Sequence, residues 1–104
     1  MTRGPDAVTL LERALVADAA RAGVALVVVA AQADRWASAT FTGARHVLEA
    51  TLATDAAGAA WLGGLADADL PLRGHLLADV AVVRQCRAGG RATVAIEALT
   101  VEDG

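Results

Sequence analysis

The chain reads as an α+β protein, a two-layer sandwich in which one long N-terminal helix and one short helix lie against a four-stranded antiparallel sheet, in the order α-β-β-α-β-β. Three features predict this class. An amphipathic segment opens the chain, two pairs of β-branched segments follow, and a glycine-punctuated stretch beginning with a capping residue separates the pairs. At 104 residues there is material for one hydrophobic core, so residues 1–104 are expected to form a single domain.

The first helix lies within GPDAVTLLERALVADAARAG. Pro5 and Asp6 suit its first turn and Gly23 a left-handed cap after its last. Val8, Leu11, Leu15, Ala19 and Ala22 recur at three- and four-residue spacing, while Glu12, Arg13 and Arg21 lie off that stripe, so one face packs and the other is wet. The apolar run at 24–33, VALVVVAAQA, is short and rich in β-branched residues and reads as a strand buried on both faces. Asp34, Arg35, Trp36 and Ala37 interrupt it and are expected to form a turn before a second strand at 40–53. In that strand Ala44, His46, Leu48, Ala50 and Leu52 share one side, and Arg45, Val47, Glu49 and Thr51 the other. Gly43 is a candidate bulge.

Thr54 or Asp55 can cap a short helix ending near Gly63 and Gly64, although Gly58 inside it costs about 1 kcal/mol relative to alanine. A loop containing Pro71 precedes the last hairpin. There Leu76, Ala78, Val80 and Val82 form one apolar row and Val94, Ile96 and Ala98 another. Setting Val82 opposite Ile96 and Val80 opposite Ala98 leaves Ala88, Gly89 and Gly90 as a three-residue loop. The reverse face carries His75, Leu77, Asp79, Ala81 and Val83 against Thr93, Ala95, Glu97, Leu99 and Val101. This face is less polar than a sheet face meeting only water, so part of it is expected to be covered.

A net charge of −3 argues against a basic groove for nucleic acid. All nine basic residues are arginine, and lysine, tyrosine and asparagine are absent, a pattern of GC-rich codon choice rather than of phosphate recognition. The most apolar run is half the roughly 20 residues of a membrane-spanning helix, and MTRGPD lacks the apolar stretch of a secretory leader. Cys86 is the sole cysteine, which excludes an internal disulfide and fits a reducing cytoplasm.

No catalytic or metal-binding motif emerges. His46 and His75 are the only histidines; Glu49 falls on the opposite face from His46, and Asp79 lies about 13 Å along the strand from His75. No metal or other cofactor is therefore expected. Asp79 and Glu97 are the best-placed carboxylates, diagonal across the last hairpin with Arg45 as a neighbour from another strand. The setting of Ser38 is not that of a hydrolase nucleophile, Cys86 has no histidine base, and the paired glycines are cap and turn. Trp61 is expected to fill the space between the short helix and the sheet, whereas Trp36 is either a core residue or a binding anchor.

Two functions follow. The first is a non-enzymatic protein that self-associates as a homodimer, or binds a protein partner, through the mixed sheet face at Leu77, Val83, Ala95, Leu99 and Val101. The second is a small-ligand binder or enzyme whose pocket lies between helices and sheet, near His46, His75, Asp79 or Glu97.

Overall fold

The computed structural model describes residues 6–103. Helix α1 (Ala7–Arg21) is capped by Asp6, whose carboxylate accepts a hydrogen bond from the Thr9 amide at 2.9 Å, and Gly23 beyond its end adopts φ +79°. Pro5, expected in the first turn, lies outside the described residues. Leu11, Leu15 and Ala19 are fully buried, and Ala22, at the cap, is exposed. Strands β1 (Val27–Ala37) and β2 (Thr42–Ala53) form the first hairpin. Helix α2 (Ala56–Gly64) and a 3₁₀ turn (Leu65–Asp67) follow, and β3 (His75–Ala88) and β4 (Arg91–Glu102) form the second hairpin. The sheet is wholly antiparallel in the order β1-β2-β4-β3. The expected α+β sandwich and its element order are what the chain adopts.

Both helices cover the same face. Leu11 and Leu15 of α1 and Trp61 of α2 pack in one cluster with Leu48, Ala50 and Leu52 of β2, Val94 and Ile96 of β4, and Val80 of β3. As expected, Trp61 fills the space between α2 and the sheet; its Nε1 donates to Asp18 Oδ2 at 2.9 Å, tying α2 to α1. Asp55 caps α2 by accepting from the Gly58 amide. Gly58 is required there, because a Cβ would stand 2.2 Å from the Ala53 carbonyl oxygen.

Several expectations need correction. Asp34, Arg35, Trp36 and Ala37 do not form a turn; they continue β1, paired with Arg45, Ala44, Gly43 and Thr42. The turn falls at Ser38–Phe41, where Ser38 Oγ accepts from the Thr40 and Phe41 amides, the local bonding that makes serine a turn residue. β1 is not buried on both faces: it is an edge strand, and Val27 and Val29 are 51% and 54% exposed. The burial expected of this run belongs to Val24 and Leu26, just before the strand. Gly43 makes no bulge. It sits in register between Trp36 and Val101, where a Cβ would come within 2.0 Å of the Thr100 carbonyl oxygen and 2.8 Å of the Trp36 ring. Trp36 is therefore a half-buried residue lying over that glycine on the face away from the helices.

In the last hairpin Val82 pairs with Ile96 and Val80 with Ala98, as the sequence predicts. A bulge at Val83 then shifts the register by one, so Ala88 pairs with Arg91 and the loop is two residues, Gly89 and Gly90, both at positive φ. A second bulge, at Ala78, exchanges the faces of the residues before it. Leu77 pairs with Thr100 and packs against the core, while Leu76 pairs with Val101 on the open face and is 57% exposed. The expected rows are thus reversed at Leu76, Leu77 and His75.

Candidate functional site

The helix-covered face of the sheet is apolar over most of its length and turns polar at one end, where β1 and β3 meet the start of α1. The register builds this end. Arg35 stands opposite Ala44, Ala44 opposite Thr100, and Thr100 opposite Leu77; one row further out, Glu102 stands opposite His75. The Thr42 hydroxyl donates to Glu102 Oε2, and Arg35 Nη2 lies 3.6 Å from Glu102 Oε1. Further in, His46 is 1% exposed and Thr100 fully buried, with His46 Nε2 2.9 Å from Thr100 Oγ1.

A cavity of about 440 Å³ opens at this end, bounded by Asp6, Ala7 and Val8 of the α1 start and by Arg35, His75, Thr100 and Glu102 of the sheet. Its size is that of a small-molecule pocket. Two polar atoms beside it are buried without a hydrogen-bond partner among the described residues, Nδ1 of His46 and Nδ1 of His75. Burial pushes the His46 imidazole below its usual 6.5; the nearby His75 acts in the same direction, and the Asp6 carboxylate partly offsets both. His46 is therefore neutral at pH 7. The Thr9 amide, bonded to Asp6, holds that carboxyl below its ordinary value, so Asp6 is an anion there. With a neutral imidazole, one ring nitrogen donates and the other accepts. Whichever role Nε2 takes toward Thr100, Nδ1 is left with the opposite capacity unused.

The four residues expected near a ligand pocket divide into two pairs. His46 and His75 belong to this helix-covered end. The placement of His75 corrects the expectation that it lies on the mixed face with Asp79, and the cause is the Ala78 bulge. Asp79 and Glu97 project from the open face, where with Asp34, Arg45 and Leu99 they line a shallow depression of about 280 Å³ that His46 also borders, so three of the four expected residues adjoin it. Arg45 is thus the neighbour anticipated for the two carboxylates, although no ion pair within 4 Å joins them among the described residues.

Of the five residues expected at an interface, Val83, Ala95, Leu99 and Val101 lie on the open face or in its bulge, and Leu77 does not. Val83 is 52% exposed, whereas Ala95 is buried at the centre of the sheet. The sequence reading missed Asp6, Arg35, Thr42, Thr100 and Glu102 as site residues. Continuing the Val94, Ile96, Ala98 alternation by two steps reaches Thr100 and Glu102, so that signal was present; Arg35 was hidden by its assignment to a turn.

No set of three or more histidine, cysteine or carboxylate side chains stands together as a metal site among the described residues, and no helix among them is long and apolar enough to cross a membrane. The chain matches no protein-family model, no curated protein and no solved structure. Function has to be argued from this geometry.

Proposed function

We propose that the protein binds a small polar molecule in the pocket between the start of α1 and the polar end of the sheet. The observation that carries this reading is the buried Nδ1 of His75, which lines the cavity and has no partner among the described residues, with that of His46 lying behind the lining residue Thr100. Leaving a buried polar group unpaired costs about 1–3 kcal/mol, so a ligand that satisfies His75 Nδ1 recovers that cost on binding. The ligand that fits carries hydroxyl or amide groups for the His75 imidazole and the Thr100 hydroxyl. The charges at the pocket, Asp6, Glu102 and Arg35, are of both signs and do not select a strongly charged molecule.

The role is binding rather than catalysis. Thr100 and His46 make a hydroxyl–imidazole pair, but nothing among the described residues bonds His46 Nδ1 to fix its tautomer, as an activated nucleophile requires. The free thiol of Cys86, exposed near the last turn, fits the reducing cytoplasm in which we place the protein.

A thermal-shift screen with small metabolites tests the reading. A ligand present at about 100 times its Kd stabilises by about 2.7 kcal/mol, roughly ten degrees or more for a domain of this size. The shift is expected to be lost in His75→Leu and Thr100→Val. A screen without any such compound, or shifts that survive both substitutions, would sink the proposal.

A second reading, association with a protein partner or another copy through the open face, is supported by Val47, Leu76 and Val83, which are 46–57% exposed on the side that neither helix covers.

A further inference from the structure

The most apolar stretch of the chain ends in β1, and β1 is the strand the fold protects least. It pairs with β2 on one side only, and none of its eleven residues is buried. From Ala30 to Ala37 it runs in regular register with β2. Its outer edge is therefore a row of free backbone donors and acceptors whose side chains are mostly alanines, with Gln32, Asp34, Arg35 and Trp36 among them. β1 has one bulge, at Val29, and carries Asp34 and Arg35, whereas the other edge strand, β3, is interrupted twice, by bulges at Ala78 and Val83 that leave it no run in register as long as that of β1.

The helix layer continues the same surface. α1 packs over β1, and Asp18 reaches Trp61 of α2, so the opposite flank of α1 faces away from α2, toward the β1 edge. That flank carries Val16, 37% exposed, between Glu12 and Ala20. Arg13 adjoins Glu12, opposite charges that a twofold axis sets against each other.

We infer that two copies of this chain pair antiparallel through β1, joining their sheets into one of eight strands with α1 packed beside α1 across the axis. A second copy satisfies both layers of this surface at once, the backbone ladder and the Val16 flank, with matching charge. A twofold through the edge also closes the assembly, because the interrupted β3 edges end up outermost. This dimer leaves the open sheet face free and borders the ligand pocket only through Ala33 and Arg35 of β1.

Sedimentation equilibrium over the micromolar range, in reducing buffer so that Cys86 forms no disulfide, is expected to give twice the 10.5 kDa chain mass. Val16→Lys combined with Val29→Lys, both at exposed positions, is expected to give the single-chain mass with an unchanged circular dichroism spectrum. Val47→Lys with Val83→Lys on the open face is expected to leave the dimer intact. Should the β1 variant lose its fold, hydrogen exchange on the unaltered protein serves instead: amides of β1 slow as concentration rises while those of β3 do not. A single-chain mass throughout the range, a dimer broken by the open-face pair but not by the β1 pair, or β1 amides indifferent to concentration would each overturn the inference.

Discussion

Leu76 and Leu77 are adjacent, chemically identical and, by strict alternation, assigned to the wrong faces. The bulge at Ala78 puts Leu77 against the core beside Thr100 and turns Leu76 out, 57% exposed. Truncating each to alanine measures that bulge. A buried leucine loses about 2–5 kcal/mol on truncation, and Leu77, which keeps some solvent contact, belongs at the lower end, about 2 kcal/mol. Leu76→Ala removes surface that water already reaches and should change stability by no more than about 0.5 kcal/mol. Urea titration followed by the fluorescence of the buried Trp61 resolves the two, because a loss of about 2 kcal/mol moves the midpoint of a small domain by about 1–2 M. The reasoning is refuted if Leu76→Ala is the more damaging change or if the two losses are equal; either result means that β3 runs without the Ala78 bulge and that His75 faces away from the pocket.

Three further outcomes are expected. Gly43→Ala should destabilise by about 1–3 kcal/mol, because its Cβ meets the Thr100 carbonyl oxygen, whereas Gly63→Ala, with nothing within 4 Å, should be neutral or gain up to about 1 kcal/mol in the same urea titration. Stability should be level with pH above His46's unfolded value of 6.5 and fall as pH drops below it, because the unfolded chain then binds a proton that the buried imidazole, its pKa lowered, resists; His46→Gln should flatten this part of the stability profile, and a variant that keeps the full slope would contradict the assignment. A double-mutant cycle of Trp61→Phe and Asp18→Ala should give a coupling of about 1–2 kcal/mol for the bond between the two helices, and a coupling near zero would show that α2 is held by packing alone.

Much of the fold was legible because its signals are local. The Leu11, Leu15, Ala19 stripe, the Asp55 cap and the alternation from Ala44 to Leu52 each need only neighbouring residues to be read, and each is realised; Asp6, expected in the first turn, is instead the residue that caps it. The pairing of Val82 with Ile96 was legible for the same reason, since apolar rows and the glycine pair constrain one another across a short loop. Bulges carry no comparable signal. Ala78 and Val83 fit a regular strand as well as an irregular one, and one unpaired residue reverses every side chain before it. That is why His75 and Leu77 were assigned to the wrong face. The pocket needed the correct register at three strands simultaneously, β1 for Arg35, β4 for Thr100 and Glu102, and β3 for His75, and an error at any one of them disperses the cluster.

The misplacement of residues 24–33 has a different origin. Hydropathy and β-branching report that a segment gains by leaving water, and a central strand satisfies that requirement inside one chain. After the first hairpin forms, β1 has one free side and β2 the other, and the later strands can dock on either. They dock on β2, through β4, whose Val94, Ile96 and Ala98 continue the buried row of Leu48, Ala50 and Leu52 beneath the helices. On the same face β1 offers that row Val28, which packs against the core, and then only Ala31 and Ala33, side chains too small to extend it, so the choice of β2 follows from the bulk of the inner residues rather than from the total hydropathy of the strands. Beyond Val28, the apolar character of β1 is not used in the core of the chain. After its own bulge at Val29, β1 keeps an unbroken run in register from Ala30 to Ala37, whereas the bulges at Ala78 and Val83 break β3 into shorter pieces, and that difference is the reason the proposed pairing is placed at β1.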